Sequence, residues 1–68
     1  MRTFTINGET RQVEPNADTV GQLLDALGVA HQTVAVMING QIVARETFST
    51  HMVKAHDQIE VVRFVGGG

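Results

Sequence analysis

The segment from Thr19 to Gly28 constrains this chain more than any other. Thr19 is a good N-cap, and Gln22 three residues later completes a capping box. Asp18 adds negative charge where a helix dipole favours it. Val20, Leu23, Leu24 and Leu27 recur at i, i+3, i+4 and i+7, which places them on one helical face. Gly28 follows where a left-handed C-terminal residue is wanted. Full burial of an apolar side chain contributes about 1.5–3 kcal/mol, so these four dominate a chain of this length. Something flat and apolar must cover them.

The flanking segments supply that surface. Residues 2–6 alternate polar and apolar and run into Asn7-Gly8, the strongest short-range signal for a two-residue hairpin. The returning strand is expected over Glu9–Val13, before Pro15, which cannot donate to a ladder. Beyond the helix, Thr33–Ile38 alternates again and meets a second hairpin signal, Asn39-Gly40, with Gln41–Arg45 returning. The pattern lapses over residues 46–57, where Phe48 and Met52-Val53 read as anchors under a long loop. Asp57 reads as the turn residue before a last strand, Gln58–Phe64. The order is strand, strand, helix, strand, strand, loop, strand. A four- to five-stranded mixed sheet with one main helix on one face buries a single apolar stripe economically. This predicts an α+β domain over residues 1–64, followed by a glycine-rich tail over residues 65–68.

Composition excludes several functions. A chain of 68 residues is one small domain, burying about 60% of the surface its unfolded chain exposes. It has no cysteine, hence no disulfide, thiolate metal site or catalytic thiol. A net charge of -2 with scattered basic residues argues against nucleic-acid binding. No apolar run approaches ~20 residues, and the first residues lack a signal-peptide apolar region. A cytoplasmic, soluble protein without membrane attachment is expected. His31, His51 and His56 have no metal-ligand or general-base spacing and read as ordinary loop or surface residues. No metal site, catalytic residue or bound cofactor is expected, and the chain is not read as an enzyme.

Two features remain. The chain ends Val65-Gly66-Gly67-Gly68. Glycines without side chains cannot pack, and an extended four-residue segment reaches roughly 13–14 Å, enough to thread a terminal carboxylate into another protein. The plainer reading is an unstructured end. The second feature is the outward face of the sheet. If Val34, Val36 and Ile38 point inward, Ala35 and Met37 point outward; if Ile59 and Val61 point inward, Val62 and Phe64 point outward. These four would form an exposed apolar patch beside the tail, suited to a partner. The alternative is that alternation fails at the Val61-Val62 doublet and Val62 or Phe64 tucks under the Phe48 loop.

Taken together, the residues resemble the bacterial sulfur carriers of the ubiquitin-like family, of ThiS type. The resemblance rests on the opening strand into Asn7-Gly8, on Thr19-Val20 with Leu23-Leu24, on Val36-Met37-Ile38-Asn39-Gly40-Gln41-Ile42-Val43, and on the closing Val61-Val62-Arg63-Phe64-Val65-Gly66-Gly67-Gly68. The molybdopterin-synthase small subunit, MoaD, is similar in fold, but its Pro-containing approach to Gly-Gly is absent here. The chain departs from the family at Lys54-Ala55-His56-Asp57, where a glycine often precedes the Asp.

The resemblance implies a β-grasp, with the last strand parallel to the first. It implies that an E1-like partner enzyme (ThiF-type) uses Mg-ATP to adenylate the carboxylate of Gly68. Sulfur from a persulfide protein then leaves a thiocarboxylate, and thiazole synthase (ThiG-type) takes that sulfur for thiamine. Val65, Gly66 and Gly67 would form the threading tail, and Val62, Phe64, Met37 and Ala35 the docking patch. The free carrier would be a monomer. Two alternatives stay open: another sulfur acceptor (molybdopterin, cysteine or a thionucleoside), and a ubiquitin-like interaction module that is never activated.

Overall fold

In the computed structural model, residues 2–13 and 17–64 are described. The predicted elements are present in the predicted order. Strands β1 (Arg2–Ile6) and β2 (Glu9–Val13) precede helix α1 (Val20–Leu27), and β3 (Val34–Ile38), β4 (Gln41–Val43) and β5 (Gln58–Arg63) follow. The sheet order is β2-β1-β5-β3-β4. The last strand is therefore central, parallel to β1 and antiparallel to β3. This is the β-grasp arrangement.

Both hairpins turn at Asn-Gly with positive φ at each central residue, 51° and 83° at Asn7-Gly8 and 52° and 86° at Asn39-Gly40. That is the type I′ geometry whose twist matches the flanking strands. The helix begins with both halves of the capping box between Thr19 and Gln22 and ends at Gly28 with φ 74°. Val20, Leu23 and Leu24 are fully buried against Phe4, Val34, Val36, Val53 and Ile59, while Leu27 packs at the edge of the core half-buried. No buried polar side chain interrupts this core among the described residues.

The long loop serves the helix start. The first N–H groups of a helix have no partner inside it. Here Val20 N–H donates to the His51 carbonyl at 3.0 Å and Gly21 N–H to the Phe48 carbonyl at 2.8 Å. The Thr19 hydroxyl accepts from Gln22 N–H and Gln22 Oε1 accepts from Thr19 N–H at 3.3 Å, so all four are met. A Cβ at position 21 would lie 3.3 Å from the Phe48 carbonyl oxygen, so glycine is what admits the loop this closely. Phe48 and Val53 are buried, as the anchor reading requires.

Four details differ from the sequence reading. Thr33 ends a 3₁₀ turn (His31–Thr33) and does not open β3. β4 stops at Val43 because the chain enters a second 3₁₀ turn, Arg45–Thr47, after Ala44. Phe64 lies just past the end of β5. Met52 is not an anchor: it forms an isolated bridge to Thr19 through its backbone, and its side chain is exposed. Pro15 and residues 65–68 lie outside the described residues.

Candidate functional site

The candidate docking residues lie on or beside the C-terminal half of β5. Its register opposes Val62 to Ala35, Val61 to Val36 and Glu60 to Met37. Phe64 N–H donates to the Thr33 carbonyl at 2.9 Å, and Asn39 N–H to the Gln58 carbonyl at 2.8 Å. In an antiparallel ladder hydrogen-bonded and non-bonded pairs alternate. Residues 58, 60, 62 and 64 therefore bond toward β3, while 59, 61 and 63 turn their main-chain groups toward β1.

On the β1 side the support is short, and side chains extend it. Only Thr5 and Ile6 pair with β5, opposite Gln58 and Ile59. β1 then turns away at Asn7-Gly8. The Asn7 side chain takes over: Val61 N–H donates to Asn7 Oδ1 at 2.9 Å and Asn7 Nδ2 donates to the Val61 carbonyl at 3.2 Å. The amide imitates the next rung of the ladder. Asn39 does the same at the strand's start, accepting from Gln58 N–H at 3.0 Å and donating to Asp57 Oδ1 at 3.2 Å. Asp57 Oδ2 in turn accepts from Lys54 N–H at 2.8 Å, closing the turn before the strand. The two turn asparagines thus clamp β5 at both ends of its β1 overlap.

The side-chain parity is the regular one. Ile59 is buried and Val61 packs against the core, whereas Val62 and Phe64 are 55% and 59% exposed. Phe48 sits in the core on the helix side, its ring edge-on to His31 with centroids 6.0 Å apart, so Phe64 is not tucked beneath it. Ala35 and Met37 face outward but are half-buried by their neighbours. One residue was missed: Ile42, opposite Met37 on the same face, is the most exposed large apolar side chain among the described residues, at 78%. The outward-pointing position of Ile42 in its hairpin carried that signal. The apolar strip thus crosses three strands, with Glu60 beside Met37 interrupting it. The Arg45 guanidinium lies 6.0 Å from the Phe64 ring centroid, within cation–π range. Val65, Gly66, Gly67 and Gly68 lie outside the described residues.

The histidines have other employment. His31 Nε2 lies 2.8 Å from Asp25 Oδ1, linking the helix to the turn after it. The His51 carbonyl caps the helix. His56 occupies a left-handed conformation with φ 70°, at the position where the resembling family often has glycine. Among the described residues, no group of three His, Asp or Glu side chains could hold a metal ion. No helix there is long and apolar enough to cross a membrane.

Comparison with known proteins gives a consistent set of matches. The model of the ThiS family matches residues 2–68. The sulfur carrier protein ThiS of Escherichia coli is 40% identical over 50 residues, covering 74% of this chain and 76% of that one. A thiazole synthase of Magnetococcus marinus is 43% identical over 63 residues, but the chain spans only 19% of its length. The crystal structure of the thiamine biosynthesis protein ThiS from Geobacter metallireducens superimposes with a TM-score of 0.80 at 38% identity, covering 97% of this chain and 99% of that one.

Proposed function

The chain belongs to the ThiS family, and from that premise we propose that it carries sulfur for thiazole formation in thiamine biosynthesis, as a protein cosubstrate and not as a catalyst. The observation that supports this most is the family match itself, which extends through the glycine tail to residue 68. Where Gly68 is the C-terminal residue, its carboxylate is the reacting group. A carboxylate is a poor acyl electrophile at neutral pH, so an E1-like partner uses Mg-ATP to form the acyl-adenylate and release pyrophosphate. The terminal sulfur of a protein persulfide then expels AMP, and a thiol reduces the resulting acyl disulfide to the thiocarboxylate. Glycine suits the site because its carbonyl is unhindered and a narrow channel need accommodate no side chain.

The chain's own residues bind and orient. β5 delivers Val65, Gly66 and Gly67 from a strand held by β3 on one side and by Asn7 on the other. Val62 and Phe64, with Ala35, Met37 and Ile42, form the docking face. A domain like this one lies within the two thiazole synthases that match it. That favours thiazole formation over molybdopterin, cysteine or a thionucleoside as the destination of the sulfur.

The test is intact-mass measurement after incubation with the adenylating enzyme, Mg-ATP and a persulfide source. Replacement of one oxygen by sulfur at Gly68 is expected, and its reversal on adding thiazole synthase with its substrates. A verified active partner that leaves the mass unchanged would refute the carrier role.

A further inference from the structure

The Asn7 clamp ends at Val61, and beyond it β5 has an open edge. By the alternation described above, Arg63 turns its main-chain N–H and C=O to the β1 side, where the chain has already turned away. No described residue hydrogen-bonds either group. Beside this edge lies a groove of about 280 Å³ floored by Ile6, Leu27, Val29, Val34 and Val61 and flanked by Asn7, Arg11 and Arg63. Val34 is buried, but Leu27, Val29 and Val61 are left half-buried by the end of the helix.

Charge is the second observation. The protein is net negative at -2, yet both charged side chains lining this groove are arginines. Arg11 lies opposite Phe4 and Arg63 opposite Val34, so both rise from the helix-side face of the sheet. The carboxylate that shares this face of the hairpin, Glu9 opposite Ile6, does not line the groove. Among the described residues, neither arginine has an ion-pair or hydrogen-bond partner. A free strand edge, an apolar floor and two guanidinium groups without a partner among the described residues together match one kind of occupant. That occupant is an extended peptide segment carrying an acidic side chain.

We propose that a partner protein adds such an acidic segment as a strand against Arg63, over the groove between Arg11 and Arg63, when it takes up the tail. Main-chain pairing of this kind supplies affinity, and the side-chain pockets supply selectivity. The contact lies one residue before Phe64 and on the opposite face from Val62 and Phe64. The partner would then grip β5 from its edge as well as from its outer face, immediately before the tail. The inference rests on the carrier role proposed above.

Two measurements on the full chain test it. The first is amide hydrogen exchange on the carrier alone and in complex with the adenylating enzyme or thiazole synthase. The Arg63 amide should gain protection of about tenfold or more in at least one complex, while Gly8 at the hairpin tip stays unchanged. The second is the KM for the carrier in thiocarboxylate formation and in sulfur transfer. Arg11→Glu with Arg63→Glu should raise it by about tenfold or more in one of the two steps, as rim charges that steer association do. Arg11→Gln with Arg63→Gln should raise it less, and Lys54→Glu not at all. The Gln pair also serves if the Glu pair folds poorly. Wild-type carrier that acquires sulfur normally while Arg63 stays unprotected in both complexes overturns this inference alone. Wild-type carrier that acquires no sulfur overturns the carrier role, and this inference with it.

Discussion

Replacing Asn7 with glycine separates two duties of one residue. As the first central residue of a type I′ turn, Asn7 holds φ 51°, a conformation glycine adopts freely. As a clamp, its amide makes two hydrogen bonds to Val61, at 2.9 and 3.2 Å. Asn7→Gly keeps the turn and deletes the clamp. Each bond contributes about 0.5–1.5 kcal/mol net, so the pair contributes roughly 1–3 kcal/mol. The site is solvent-exposed, and water replaces part of what is lost, which puts the expected destabilisation at about 1–2 kcal/mol. For a domain of this size that lowers Tm by roughly 4–16 °C. The decisive assay is amide exchange residue by residue. Val61 N–H has Asn7 as its acceptor and should lose protection, while Val62 N–H, in the hydrogen-bonded register with Ala35, should follow global stability alone. Equal protection of Val61 and Val62 in the variant would refute the clamp. Unchanged Tm together with an unprotected Val61 would show that the clamp orders the strand without stabilising the fold.

Four further outcomes follow from the same geometry. Leu24→Ala removes a fully buried side chain at a cost of about 2–5 kcal/mol, against a total of roughly 3–10 kcal/mol for a chain this short; denaturant titration should find it partly or wholly unfolded. Gly21→Ala places a methyl 3.3 Å from the Phe48 carbonyl oxygen, so the gain in helix propensity of about 1 kcal/mol should be offset, and a Tm rise of several degrees would contradict the close approach. His56→Gly should stabilise by about 0.5–1 kcal/mol, because relief of the left-handed strain of roughly 1–2 kcal/mol exceeds the entropy glycine adds to the unfolded chain; a fall in the denaturation midpoint would contradict it. Phe64→Ala, at a side chain 59% exposed, should change stability by less than about 1 kcal/mol and raise the KM for the carrier with its adenylating partner; unfolding of this variant would place Phe64 in the core.

What the amino-acid sequence made legible was carried by side chains in register with a period. The helix stripe, its caps, both Asn-Gly turns and the alternation of β3 and β5 each state their geometry locally. Together they admit few ways of covering one apolar face. The adjacency of β1 and β5 was different, because two strands more than fifty residues apart have no local mark of pairing; there the family resemblance supplied the order. Ile42 escaped notice for a related reason. With the returning strand expected to run to Arg45, no short edge strand drew attention to its outward position. The chain instead bends at Ala44 and leaves Ile42 at the margin of the sheet.

The features that remained hidden are made by the main chain or by a second use of a residue already explained. The Phe48 and His51 carbonyls that complete the helix start have no side-chain signature, so the segment from Glu46 to Asp57 reads as a lapse of pattern. Asn7 and Asn39 are fully accounted for as turn formers, and nothing in the spacing says that their amides also face β5. Yet these contacts decide where the functional strand is held and where it is free. A hairpin that turned two residues later would bring the clamp to Arg63 and close the edge. Placing the turn at Asn7-Gly8 lets the amide finish the ladder at Val61, leaving the last residue of β5 available to a partner. Under the proposed strand contact, stability and function meet at one residue boundary. Inserting a residue between Ile6 and Asn7 should shift that boundary: the Val61 amide should lose its clamp, and uptake of sulfur should slow even where the core remains folded. Undiminished sulfur uptake by a folded insertion variant would show that the position of this turn has no bearing on how the tail is presented.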